Sequence, residues 1–213
     1  MPRRPPLLLL TLLAVIAVAI ALVALLASPS EHHGASSAVP SSEATNSSGF
    51  DGAAIPPGLL APAFTLSDPY GRPVSLSGLR GHVVVVTFLY STCGATCVLI
   101  AQQIRGALDE LPHPVPVLIV SADPAADTTP SVARFLAKVS LTGRVRYLTG
   151  SPARLRPIWR AYRVHPASAG RATFDKYAFL LLLDARGRER VLFEPEVLTP
   201  EALAHDIRRL QSE

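Results

Sequence analysis

Nine residues in the middle of the chain, His82 to Tyr90, read HVVVVTFLY. The run is β-branched and aromatic almost throughout, with no alternation of polar positions. A strand of this kind is buried on both faces, which calls for a sheet covered by helices on each side. The flanking pattern agrees. Helical spacing follows at Ile100, Ile104, Leu108 and Leu111, and Val115 to Ser121 (VPVLIVS) reads as a second buried strand. Thr128-Thr-Pro-Ser131 opens a helix to about Val139, with proline in the first turn. Arg146 to Leu148 is a short strand, and Ser151-Pro152 starts a helix that turns Leu155, Ile158, Trp159 and Tyr162 inward. Ala178 to Leu183 and Arg190 to Phe193 form a hairpin around Asp184 to Gly187, and Thr199-Pro-Glu201 caps a last helix. An earlier hairpin joins Phe64–Leu66 to Val74–Leu76 through Asp68-Pro-Tyr-Gly71. The expected fold is an α/β domain: a mixed sheet flanked by helices, with an N-terminal β-hairpin.

The chain is 213 residues long and 49% hydrophobic, and much of that apolar content is concentrated near the start. Residues 1–6 carry Arg3 and Arg4. Leu7 to Ala27 follow as 21 residues with Thr11 the only polar side chain. At about 1.5 Å per residue such a helix spans roughly 30 Å, the hydrocarbon thickness of a bilayer. The leading arginines place residues 1–6 in the cytoplasm and the remainder outside it. A cleavable signal peptide has a shorter apolar region ending in a small-x-small site, which Leu25-Leu26-Ala27 fits poorly. Residues 7–27 are therefore expected as a transmembrane signal-anchor helix, and 28–58, rich in Ser, Ala and Pro, as a flexible tether. The folded domain is expected over 59–213. A net charge of +4 does not ask for nucleic acid, which has no place on that side of the membrane.

Only two cysteines occur, which excludes a disulfide-stapled miniprotein and a four-thiolate zinc site. They stand as Ser91-Thr-Cys93-Gly-Ala-Thr-Cys97, directly after the central strand and at the start of a helix. Positions i and i+4 share a helical face, so the two sulfurs approach one another. The positive end of the helix stabilises a thiolate there. The same geometry serves a reversible disulfide or a two-thiolate seat for a soft metal such as Cu(I). A purely structural bridge would close a very short loop and contribute little.

From Ala61 to Leu210 the chain resembles the SCO/SenC family. The likeness rests on Ala61-Pro-Ala-Phe-Thr-Leu66, Gly71 to Leu76, Leu79-Arg-Gly81, Phe88 to Cys97, and Tyr177 to Leu183 with its Asp184–Gly187 turn. It implies a thioredoxin-like fold, a membrane anchor, and copper handling by Cys93 and Cys97 in cytochrome c oxidase assembly. The implied partners are an oxidase subunit or another exported thiol or copper protein. Two features depart from the family. The prolines it usually has after each cysteine are Gly94 and Val98 here. Its Asp-His-Ser-Ala, whose histidine is the third copper ligand, is here Asp175-Lys176-Tyr177-Ala178. An ammonium has no lone pair to donate and repels a cation. Two sulfurs still suit linear Cu(I), whereas Cu(II) prefers nitrogen-bearing sites. Lys176 beside the pair instead favours a Cys93 thiolate and redox chemistry. His165 is the other histidine placed to turn back toward the cysteines; as a loop residue it reads first as exposed. Arg144 to Lys176 holds eight basic residues and one acidic, a basic stretch that fits an acidic partner, anionic lipid or plain solvation.

Three functions stay open on the sequence: a metallochaperone, a thiol–disulfide oxidoreductase with Cys93 attacking and Cys97 resolving, and a binding module that kept the fold without the chemistry.

Overall fold

The computed structural model describes residues 48–213. The anchor expected at 7–27 and most of the tether lie outside the described residues. Among the described residues no helix is long and apolar enough to cross a membrane.

The β-branched run from His82 to Tyr90 supplies the centre of a six-stranded sheet. The strands are β1 (Ala53–Ala54), β4 (Val84–Leu89), β5 (Val117–Ser121), β6 (Arg146–Leu148), β7 (Leu180–Leu183) and β8 (Glu189–Phe193), in the order β1-β8-β7-β4-β5-β6. β4 is parallel to β5 and β5 to β6, while β7, β8 and β1 run antiparallel, so the sheet is mixed. β2 (Thr65–Ser67) and β3 (Pro73–Ser75) form the separate hairpin.

All six residues of β4 are buried, three on each face of the sheet. Val85 and Leu89 pack with helices α1 (Ala95–Glu110), α2 (Thr129–Lys138) and α5 (Pro200–Gln211). Val84, Val86 and Phe88 pack with α3 (Pro152–Ala161) through Leu155 and Trp159. Thr87, the polar member, donates its hydroxyl to the Phe179 carbonyl at 2.7 Å and so leaves no unmet group inside. The helix starts are as the sequence predicts: Thr128 accepts from the Ser131 N–H and Thr199 from the Ala202 N–H. On α1 the buried stripe is Ile100, Ala101, Ile104 and Ala107, with Leu108 and, just past the helix end, Leu111 only partly covered. Gly106 is the close point of α1 and α5: a Cβ there would stand 2.7 Å from the Pro200 ring.

Two expectations are corrected. The tether is expected to reach Gly58, yet the chain already joins the domain at Phe50 to Ala54. Ala53 and Ala54 pair with Leu192 and Val191 of β8, and Phe50 and Gly52 are buried. The cause is Asp206 on α5, fully buried, whose carboxylate accepts from the Asp51 and Gly52 N–H groups at 2.9 Å each. Composition alone hides such a clasp, because its two donors are backbone groups. The loop expected before Ala178 also contains a short helix, α4 (Arg171–Lys176), whose Phe174 is buried.

Candidate functional site

β4 ends at Leu89, and because β7 runs antiparallel beside it, the chain entering β7 arrives at the same end of the sheet. The topology therefore sets two segments side by side: the cysteine loop after β4, and residues 165–178 leading into β7.

Cys93 and Cys97 are disulfide-bonded, with their Cα atoms 5.8 Å apart. Gly94 is the N-cap of α1, so Cys93 precedes the helix and Cys97 sits in its first turn. Cys97 is fully buried in the core, whereas Cys93 is only partly covered. One sulfur faces the outside and the other backs it from within.

The loop is held from beneath by Asp127, which is 4% exposed. Its carboxylate accepts from the Ser91 N–H at 2.6 Å, the Ser121 hydroxyl at 2.6 Å and the Tyr147 hydroxyl at 2.8 Å. Burial pushes this carboxyl above its ordinary range, and the bonds from Ser121, Ser91 and Tyr147 hold it partly back. The Ser91 hydroxyl donates to the Ala126 carbonyl, and the Ala122 N–H to the Leu89 carbonyl. Sequence reasoning passed over Asp127. Its signal was a carboxylate just past a buried strand, with nothing local to show that its partners lie after β4 and on β5 and β6.

The facing segment is built differently. Phe174 packs edge-on against Tyr90, centroids 4.9 Å apart, and Ala178 joins the same core. Arg171, Lys176 and Tyr177 are exposed. Lys176, the residue at the expected imidazole position, ends α4 with its ammonium 5.3 Å from the Tyr177 ring centroid. His165 lies against the same ring, its imidazole 4.5 Å from the Tyr177 centroid. Arg171 reaches the cysteine loop: its Nη1 stands 3.5 Å from where a Cβ on Gly94 would be. Burial raises the Tyr90 hydroxyl's pKa, and Arg171, through its charge and a hydrogen bond, partly offsets that rise. Of the basic stretch, Arg163 falls beyond α3 in a left-handed turn with φ 55°.

As a metal seat, the two sulfurs meet the needs of a soft monovalent ion in linear coordination. Among the described residues, neither cysteine belongs to a group of three or more Cys, His, Asp or Glu close enough to share an ion. The one such group, Asp51, His205 and Asp206, is the N-terminal clasp described above, where Asp206 already accepts backbone bonds. A cavity of about 1060 Å³ opens near His82, Val74 and Tyr147, toward the other end of β4 from the cysteine loop.

No curated protein matches the sequence. Among solved structures, yeast Sco1 superimposes with a TM-score of 0.62 at 20% identity, covering 74% of this chain and 98% of that one. A SCO1/SenC family lipoprotein from Bacillus anthracis gives 0.60 at 20% identity, covering 73% and 97%. Copper-bound ScoI from Bradyrhizobium japonicum gives 0.53 at 25% identity, covering 71% and 99%. These likenesses establish the Sco thioredoxin-like fold. The sequence profile of SCO1/SenC matches residues 53–212, about three quarters of the chain, and starts at β1. The chain belongs to the SCO1/SenC family.

Proposed function

We propose that this protein is a membrane-anchored, extracytoplasmic copper handler of cytochrome c oxidase assembly. When reduced, its Cys93 and Cys97 hold Cu(I) and pass it to an oxidase subunit. The observation that carries this reading is the placement of two sulfurs within bonding distance across the start of one helix, Cys97 backed by the core and Cys93 partly exposed. Family membership and the copper-bound ScoI structure support it. Lys176 in the place of an imidazole narrows the cargo to Cu(I), since two sulfurs satisfy that ion and not Cu(II). The N-terminal apolar segment supplies the anchor, and the partner is a protein that accepts copper or exchanges thiols.

The test is a competition titration of the reduced protein with Cu(I) against a chelator. One equivalent retained by the wild type, and lost in Cys93→Ser and Cys97→Ser, supports the reading. No uptake by the wild type rejects it.

The unequal burial of the sulfurs favours a second reading, thiol–disulfide exchange. The partly exposed Cys93 thiolate attacks a partner disulfide, and Cys97 displaces the partner's second thiolate as the internal bond forms. Two electrons pass from the pair to the partner. Cys97→Ser should then trap a mixed disulfide through Cys93, visible on a non-reducing gel.

A further inference from the structure

The cation that meets the cysteine motif is Arg171. Its guanidinium comes to the side of Gly94, next to Cys93, where the missing side chain leaves the helix start open. Tyr90, three residues before Cys93, lies within the influence of the Arg171 charge and is itself fixed against Phe174. Two carboxylates, Asp123 and Asp175, also act on Tyr90, and one Asp175 oxygen is buried without a hydrogen-bond partner. Neither is in ion-pair contact with Arg171, which forms no salt bridge among the described residues. A full positive charge therefore stands at the mouth of the site, without a contacting counter-charge.

Resting on the copper reading above, we infer that Arg171 sets the preference of the Cys93/Cys97 pair for monovalent over divalent soft metal ions. Two thiolates around Cu(I) carry a net charge of −1; around a divalent ion they carry none. Starting from two neutral thiols, whose two protons pass to solvent when either ion binds, a neighbouring guanidinium favours formation of the first complex and is indifferent to the second. The sequence alone placed the cation beside the pair at Lys176, as a charge favouring the Cys93 thiolate; in the structure that ammonium lies against Tyr177.

The experiment titrates the reduced full chain with Cu(I) against a chelator and, separately, with Cd(II), a soft divalent ion that thiols do not reduce. Arg171→Met removes the charge. Arg171→Gln removes it while keeping a polar side chain at the same place, and Arg171→Lys keeps it. Because Arg171 is exposed and screened, the expected loss of Cu(I) affinity in the Met and Gln variants is about three- to tenfold. Cd(II) affinity should hold in both, and Arg171→Lys should retain most of the Cu(I) affinity. Added salt should narrow the gap between wild type and the neutral variants. Equal losses for both metals would mean that Arg171 only supports the loop, and unchanged Cu(I) affinity would mean that its charge does not reach the sulfurs; either overturns the inference while leaving the copper reading intact. A wild type that takes up no Cu(I) rejects that reading and this inference with it.

Discussion

The two segments that meet at the end of β4 differ in how they are held. The cysteine loop is fixed by a buried carboxylate with three donors drawn from the loop and from two neighbouring strands. The segment from His165 to Tyr177 is tied in by the buried Phe174, by the Ala167 N–H to the Ala122 carbonyl and by local backbone bonds, while His165, Arg171, Lys176 and Tyr177 lie on the surface. The first segment sets where the sulfurs stand. The second sets what they meet, and its exposed side chains carry little of the packing. A site divided this way can change its cargo preference on one wall without moving the sulfurs on the other.

The sharpest way to break that contrast is to weaken both walls and compare stability. Asp127→Ala leaves the Ser91 N–H and the Ser121 hydroxyl without their buried acceptor, so unfolding should become easier by about 2–3 kcal/mol. Lys176→Ala removes only an exposed cation–π contact and should stay within about 0.5 kcal/mol of wild type. Denaturant midpoints at constant slope measure both. Comparable losses would show that the facing segment is as structural as the loop.

A second comparison concerns ligands. Lys176→His returns an imidazole to the position where the family resemblance expects one. A third donor should raise Cu(I) affinity by about tenfold, near 1.4 kcal/mol, and allow Cu(II) to be retained. Unchanged affinity would show that a side chain at 176 does not reach the sulfurs and that the wall is closed at Tyr177.

How much of this could be read in advance follows from the range of the interactions. β4, β5 and the helix caps rest on local patterns of a few residues and stand where the sequence predicts; of the cysteine pair, expected on one helical face, only Cys97 is in the helix and Cys93 precedes its cap. Arg171 and Asp127 were invisible as site residues because each acts on the cysteine loop across more than thirty positions of chain. The Asp206 clasp spans still more, reaching back to Asp51 and Gly52. α4 was missed for another reason. Its six residues are too few to show a helical period, and Phe174 is its only buried side chain.

The subtlest difference between the walls is a slope in pH. Burial raises the Asp127 carboxyl in the folded protein above its value in the unfolded chain. A raised pKa means that the folded state favours the protonated form. The associated stability is fully present below the unfolded pKa and is lost as pH rises through the folded one. Asp68, in the β2–β3 turn, runs the other way. Its pKa is lowered: burial works against the shift, but the bonds from Arg72 and Tyr70 outweigh it. The stability it supplies is lost as pH falls through its folded pKa. Total stability therefore mixes opposite trends, and the informative quantity is wild type minus Asp127→Asn. The amide that this substitution introduces fits the same donors, because the Ser121 and Tyr147 hydroxyls can reverse to accept from it. The difference should move in favour of wild type as pH is lowered from 7 toward the ordinary carboxylate range, read by urea midpoints at each pH. A flat difference would mean that the three donors offset the penalty of burial in full. The loop would then be clamped by ordinary hydrogen bonds, and its contrast with the exposed wall would be one of number and not of kind.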